Sequence, residues 1–84
     1  MTATAPFSLD TRGLFCPEPM MLLHKAMRQM AAGEELIMYA TDPSTERDLQ
    51  KFCAFLHHEL LAVEQTDDEW RFVIRKASKS ADVL

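Results

Sequence analysis

The residues best suited to chemistry in this sequence are the four that read Cys16-Pro17-Glu18-Pro19. A cysteine thiolate is a nucleophile that attacks the sulfur of an S–S bond, such as that of a disulfide, and displaces the other sulfur as a thiolate. Proline has a nearly fixed φ angle, so two prolines next to Cys16 hold its backbone in one conformation. Gly13 precedes the cysteine. A glycine and two prolines around one thiol indicate that the position of the thiol matters, and we predict that Cys16 is reactive.

The residues that follow Cys16 predict the element that presents it. Apolar residues recur at helical spacing from Met20 to Met30, which places Cys16 at the N-cap of the first helix or beside it. Pro17 then takes the first helical position and Pro19 the same turn, where a missing N–H costs no intrahelical hydrogen bond. The helix dipole favours the thiolate, whereas the nearby Glu18 carboxylate opposes it. We expect a moderately activated thiol that is suited to reversible transfer.

The second cysteine, Cys53, has a different setting. It lies with Leu49, Phe52 and Leu56 on one face of a predicted second helix, at positions i, i+3, i+4 and i+7. A buried free cysteine acts as a small apolar residue, so we assign Cys53 to the core. A dithiol redox enzyme would need a resolving thiol near Cys16, and the sequence contains no C-x-x-C motif. The sequence therefore does not favour a dithiol redox enzyme.

Hydrophobic periodicity divides the chain into six short elements. The predicted elements are strands at 7–10, 36–40, 60–63 and 70–75, a helix at 20–30, and a second helix that opens at 42–45. Gly33 is expected to end the first helix and Pro43 to lie in the first turn of the second. An acidic turn at 65–69 joins the last two strands. With right-handed crossovers, this βαβαββ order predicts an α+β fold, a two-layer α/β sandwich with a four-stranded mixed sheet and two helices on one face.

Composition bounds the class of protein. We expect one domain of 84 residues, with a structured core at about 7–76 and a mobile, patternless tail at 77–84. Two cysteines are too few for a disulfide framework, and His24, His57 and His58 lack metal-ligand spacing, so we expect no metal and no cofactor. The N-terminus does not resemble a signal peptide and no apolar run could span a membrane, which favours the cytoplasm. A net charge of −4 disfavours non-specific nucleic-acid binding.

Further motifs surround Cys16-Pro17-Glu18-Pro19 in a fixed order. They are Leu9-Asp10, Gly13-Leu14, Asp42-Pro43, Asp48, Phe52-Cys53 and His58-Glu59-Leu60. With these motifs the sequence resembles the TusA/SirA family of small bacterial sulfur-carrier proteins, from Leu9 to Lys76. One departure is His57, because many relatives have glycine at this position.

The resemblance implies that Cys16 carries sulfur as a persulfide, with Gly13, Pro17, Glu18 and Pro19 as the supporting motif. The sulfur would come from a cysteine desulfurase and pass to a downstream acceptor protein. In the branch of the family that this sequence resembles most, the route leads to 2-thiolation of the wobble uridine in tRNA. Paralogues in the family serve other sulfur or selenium pathways, and the Cys-Pro-x-Pro motif does not separate the branches. The resemblance implies a carrier with a covalent cysteine persulfide rather than a stand-alone turnover enzyme. It implies neither membrane binding nor stable nucleic-acid binding.

An alternative function uses the open face of the predicted sheet. Arg71 and Arg75 fall on this face, because they alternate with apolar residues of the last strand. Small βαβαββ sandwiches are also used as nucleic-acid-binding or regulatory modules. The acidic net charge favours the simpler interpretation that these arginines lie on a solvated strand face.

The outer face of the first helix offers a possible docking surface. Projected at 100° per residue, Arg28, Met21, Lys25 and Glu18 follow one another around the side opposite the buried stripe. Met21 is therefore an exposed apolar residue between two cations and close to Cys16. A flexible methionine with cationic neighbours fits an acidic partner surface, so we predict docking through Met21, Lys25 and Arg28.

Overall fold

The computed structural model describes residues 7–77 and contains the six elements in the predicted order. They are β1 (Phe7–Thr11), α1 (Glu18–Arg28), β2 (Glu35–Ala40), α2 (Thr45–Leu56), β3 (Glu59–Thr66) and β4 (Glu69–Arg75). The strands form one sheet in the order β1-β2-β4-β3, in which β1 is parallel to β2 and the other pairs are antiparallel. The predicted βαβαββ order and four-stranded mixed sheet are confirmed. The tail predicted at 77–84 lies, after Ala77, outside the described residues.

Both helices cover the same face of the sheet, as predicted. The connection through α1 runs from β1 to β2 and the one through α2 runs from β2 past β4 to β3, so both step in the same direction. Connections of one hand that step in one direction place their helices on one face. The core between the layers consists of Leu23, Met27, Met30, Leu36, Met38, Ala40, Leu49, Phe52, Cys53, Trp70, Phe72 and Ile74. Within residues 7–77, no helix is long and apolar enough to cross a membrane.

Helix α1 begins at Glu18, one residue after the predicted first helical position, and ends at Arg28, two residues before the end of the apolar segment predicted at 20–30. Pro17 is the N-cap rather than the first helical residue, and Pro19 is the second helical residue, so Cys16 lies one residue ahead of the N-cap. The Cys16-Pro17 peptide bond is cis. The N–H of Met21 makes the first helical hydrogen bond, to the Pro17 carbonyl at 3.0 Å. The positions before it need no intrahelical partner, which is why two prolines fit there.

The prediction that Gly33 ends α1 is wrong. The helix ends at Gln29, whose N–H bonds to the Ala26 carbonyl at 3.0 Å in a tightened last turn. Gly33 has a φ of +88° and belongs to the next turn, where its N–H donates to the Lys76 carbonyl at 3.0 Å. The left-handed conformation at Gly33 therefore joins the start of β2 to the end of β4.

The bounds of α2 also differ from the prediction. Ser44 is the N-cap, so Pro43 lies ahead of the helix and not in its first turn. The helix ends at His57, which has a left-handed φ of +66°. Glycine adopts this conformation without strain, so His57 ends the helix in a position that favours glycine.

The turn between the last two strands is shorter than predicted. Strand β3 extends to Thr66, which pairs with Glu69 of β4, so only Asp67 and Asp68 remain in the turn. Asp67 has a φ of +53°, a conformation that aspartate tolerates better than most residues. The polar residues of this hairpin therefore belong to strands with a solvent-exposed face.

Candidate functional site

The two cysteines have opposite environments. Cys16 is exposed, whereas Cys53 is buried with 4% of its surface accessible. Burial raises the pKa of the Cys53 thiol to about 11, so this thiol stays protonated at neutral pH. Cys16 is therefore the cysteine that another protein can reach.

The loop that carries Cys16 is tied to the segment between β2 and α2. The N–H of Gly13 donates to Thr41 Oγ1 at 2.8 Å, and the N–H of Cys16 donates to Asp42 Oδ2 at 2.6 Å. The Cys16 Sγ lies 3.8 Å from Asp48 Oδ2, within reach of a thiol S–H donor. These contacts fix the loop from outside its own segment and give the thiol a carboxylate neighbour.

Asp42 connects the two segments through a single buried carboxylate. Its Oδ2 accepts the Cys16 N–H, and its Oδ1 accepts both the N–H and the hydroxyl of Ser44 at 3.0 Å. The hydrogen bond from the Ser44 backbone, followed by that from Cys16, holds the pKa of Asp42 below its usual value, although burial acts in the opposite direction. The sequence placed Asp42 at the start of the second helix and in a family motif, but it did not predict the contact with Cys16, which spans 26 residues.

The residues of the predicted supporting motif lie around the thiol. Gly13 has a φ of +87° in the turn before Cys16, with open space where a Cβ would be. Glu18 is the first residue of α1, and its N–H donates to the Phe15 carbonyl at 2.9 Å. Pro19 is buried and anchors the start of the helix, whereas Pro17 is exposed beside Cys16.

Exposed apolar side chains surround the N-terminal end of α1, next to Cys16. Met21 is 62% exposed and lines a shallow groove with Leu14, Glu18 and Leu22. Leu22 lies at the margin of the buried face of α1 and is 36% exposed. Phe15, directly before Cys16, is 69% exposed. Sequence patterns did not single out Phe15. The available signal was its place between the first strand and the first helix, where a large apolar side chain belongs to no predicted buried face.

The predicted cations of α1 are also exposed. Lys25 and Arg28 both lie in the last turn of the helix, where positive charge is favourable. They share an outer surface with Met21, as the helical projection predicts. The structure thus places all three residues at the surface.

The arginines on the open face of the sheet are paired with carboxylates. Arg71 contacts Glu64 at 2.7 Å, and Arg75 contacts Glu59 at 2.7 Å and Glu35 at 3.3 Å. These pairs occupy the guanidinium groups that a phosphate backbone would need. The geometry therefore weakens the alternative of a nucleic-acid interface on this face.

The histidines have structural contacts. The rings of His24 and His58 both lie against Phe52, with centroid distances of 4.6 Å and 5.4 Å. His58 Nδ1 accepts a hydrogen bond from the Ala77 N–H at 2.8 Å. His24 is exposed on α1 with one side of its ring against Phe52, and His57 ends α2. In residues 7–77, no group of three His, Cys, Asp or Glu side chains could hold a metal ion.

Comparison with known proteins identifies the family. The model of the family described as "Sulfurtransferase TusA" matches residues 7–76. The chain belongs to the TusA family. Two relatives, both named "Sulfur carrier protein TusA", come from Pseudomonas syringae pv. syringae (strain B728a) and Pseudomonas entomophila (strain L48). The chain is 51% identical to the first over 75 residues, which are 89% of each chain. It is 54% identical to the second over 69 residues, which are 82% of this chain and 86% of the relative. The resemblance inferred from the Cys-Pro-Glu-Pro motif is confirmed.

Proposed function

We propose that this protein is a sulfur carrier that accepts sulfane sulfur on Cys16 as a persulfide and relays it to an acceptor protein. The supporting observation is the contrast between the two thiols, because Cys16 is exposed at the start of α1 while Cys53 is buried. Membership of the TusA family, whose two relatives bear the name of sulfur carriers, supports the same function. A carrier needs a thiol that can enter the active site of another protein, and Cys16 meets this need.

Loading is a thiol–persulfide exchange in which no net oxidation occurs. The Cys16 sulfur attacks the terminal sulfur of the persulfide on the donor, and a new S–S bond forms at Cys16 Sγ. The S–S bond of the donor breaks, its electron pair leaves on the donor thiolate, and the Cys16 proton passes to solvent or to that thiolate. In the relay step, an acceptor nucleophile attacks the terminal sulfur and Cys16 leaves as a thiolate.

The donor in this proposal is a cysteine desulfurase, and the route leads through an acceptor protein to 2-thiolation of the tRNA wobble uridine in the cytoplasm. The support is the family match together with the two relatives named "Sulfur carrier protein TusA", because the sequence resemblance links that branch to tRNA modification. The tRNA is then modified by downstream proteins, and the carrier itself need not bind it. The ion-paired arginines of the open sheet face are consistent with this division of labour.

We assign partner docking to the outer surface of α1, formed by Met21, Lys25 and Arg28. Met21 is 62% exposed beside the groove next to the Cys16 loop, and both cations are exposed in the last turn. A partner whose reacting sulfur reaches Cys16 must cover neighbouring surface. An apolar contact flanked by cations would orient an acidic partner during the encounter.

The test is the intact mass of the protein after incubation with a cysteine desulfurase and cysteine. We expect one added sulfur on the wild-type protein and on Cys53→Ser, and none on Cys16→Ser. Circular dichroism checks that each variant is folded. Sulfur found on Cys53, or a Cys16→Ser variant that still loads, would contradict the proposal.

A further inference from the structure

The backbone at Cys16 is held by a group from another part of the chain. Pro17 and Pro19 have no N–H, and the N–H of Glu18 already donates to the Phe15 carbonyl. The N–H of Cys16 instead donates to Asp42 Oδ2 at 2.6 Å, a short hydrogen bond to a carboxylate. The prolines restrict the chain after Cys16, and this bond restricts it at Cys16 itself.

Asp42 is suited to act as an anchor because both of its oxygens are engaged. While Oδ2 accepts the Cys16 N–H, Oδ1 accepts two donors of Ser44, the N-cap of α2. The carbonyl of Asp42 also accepts the N–H of Thr45 at 3.0 Å. A buried carboxylate with these bonds has little rotational freedom, so it transmits the position of α2 to the Cys16 loop.

We propose that Asp42 is a positioning residue for sulfur transfer, which presents Cys16 Sγ to partner proteins in one direction. The inference rests on the proposed function and deepens it. In a persulfide exchange the attacking, central and leaving sulfurs must be aligned, and two proteins have to bring them together while docked. A displacement of about 1 Å at such a centre can lower the rate about 100-fold.

This role differs from that of a group that acts on the thiol itself. Asp48 approaches Cys16 Sγ, whereas Asp42 contacts the backbone N–H. A small alkylating reagent reaches an exposed thiol from many directions, so its reaction does not depend on the orientation of the loop. Transfer between docked proteins does depend on it. Loss of the Asp42 anchor should therefore slow transfer from the donor protein but leave small-molecule alkylation unchanged.

The experiment compares Asp42→Ala, Asp42→Asn and Ser44→Ala with the wild-type protein. Sulfur loading from a cysteine desulfurase is measured over a range of carrier concentrations. Iodoacetamide alkylation of Cys16 is measured at the high-pH plateau, where changes in thiol ionisation no longer matter. Thermal unfolding is followed by circular dichroism, and all rates are taken well below the unfolding transition.

We expect Asp42→Ala to lower the loading rate at saturating carrier at least 10-fold, with its plateau alkylation rate unchanged. Asp42→Asn keeps a side-chain carbonyl that can accept the Cys16 N–H, so it should recover part of the rate. Ser44→Ala is the matched control, because it removes one donor to Asp42 and leaves the bond to Cys16. It should load like the wild-type protein.

Amide hydrogen exchange gives a second measurement. In Asp42→Asn and Asp42→Ala, the Cys16 amide should exchange faster, whereas that of Met21, which bonds within α1, should not. An Asp42→Ala variant that loads at the wild-type rate, while the wild-type protein loads normally, would overturn this inference and leave the proposed function intact. A parallel loss of plateau alkylation would overturn it as well. Failure of the wild-type protein to load would overturn the proposed function and the inference together.

Discussion

At the scale of single residues, burial gives side chains of the same type different pKa values and different access to partners. Cys16 and Cys53 have the same thiol, but the buried one has its pKa raised to about 11 and has no route to a partner. His57 and His58 are neighbours in sequence, yet the first is exposed at the end of α2 while the second is half-buried against Phe52. Chemistry at this scale follows from the environment that the fold supplies.

His58 makes the stability of the protein depend on pH. Burial, followed by the positive charges of Lys76, His24 and His57, lowers the pKa of His58 below its usual 6.5. The unfolded chain therefore takes up a proton at a higher pH than the native protein does. Stability is full above pH 6.5 and declines as the pH falls from 6.5 toward the lowered pKa of the native state.

The measurement is the urea midpoint of unfolding as a function of pH. We expect the urea midpoint of the wild-type protein to decrease as the pH is lowered below 6.5. Protonation of His58 at Nδ1 also breaks the hydrogen bond from the Ala77 N–H. His58→Asn is the control, since its amide oxygen can accept that bond without titrating. If the urea midpoint depends on pH equally in the wild-type protein and in His58→Asn, groups other than His58 cause the pH dependence.

At the scale of elements, the turns decide how the helices and strands meet. Gly13 and Gly33 have φ angles of +87° and +88°, and a Cβ at either position would meet no atom within 4 Å. The first lies in the loop that leads to Cys16, and the second joins α1 to β2. Both require the left-handed backbone, but only one belongs to the site.

This pair provides a matched test. Alanine at either glycine adds only backbone strain, so Gly13→Ala and Gly33→Ala should each lower the free energy of unfolding by about 1–2 kcal/mol. Gly13→Ala should also slow sulfur loading onto Cys16, because strain in this turn disturbs the loop. Gly33→Ala should load normally. Urea unfolding and the mass assay measure both effects, and equal loading by the two variants would show that the Gly13 turn does not position the thiol.

At the scale of the whole molecule, charge is distributed unevenly. The chain has a net charge of −4, yet Lys25 and Arg28 are exposed together in the last turn of α1, on the helix whose first turn follows Cys16. The arginines of the open sheet face are paired with glutamates instead. A protein that is acidic overall thus has two exposed cations within the surface proposed for docking.

Charge reversal on α1 tests this docking surface. Lys25→Glu and Arg28→Glu should each slow sulfur transfer through a lower association rate, most clearly at low salt. Lys51→Glu changes the net charge equally but lies on α2, so it should have a smaller effect. Met21→Ala should weaken partner binding by about 1 kcal/mol. Transfer rates equal to wild type in all the α1 variants, at low and moderate salt, would place docking elsewhere.

The sequence by itself determined the order of elements, the buried faces and the identity of the exposed thiol. Each of these depends on local properties, because the periodicity of apolar residues and the backbone restrictions of proline act within a few residues. The errors at element ends have two causes. Gly33 was misplaced because its N–H bonds to the carbonyl of Lys76, a distant residue that local patterns do not reveal. The bounds of α1 and the length of the β3–β4 hairpin are set by individual backbone hydrogen bonds and strand pairs, which the periodicity of apolar residues does not resolve.

Only the tertiary structure decided how Cys16 is held. Thr41, Asp42 and Asp48 reach the Cys16 loop because β1 and β2 are parallel neighbours, so that the segments after both strands meet at one edge of the sheet. The pairing of Arg71 and Arg75 with glutamates likewise depends on the register of adjacent strands. Contacts between residues of different elements are set by topology and register, and the periodicity within one element carries no information about them.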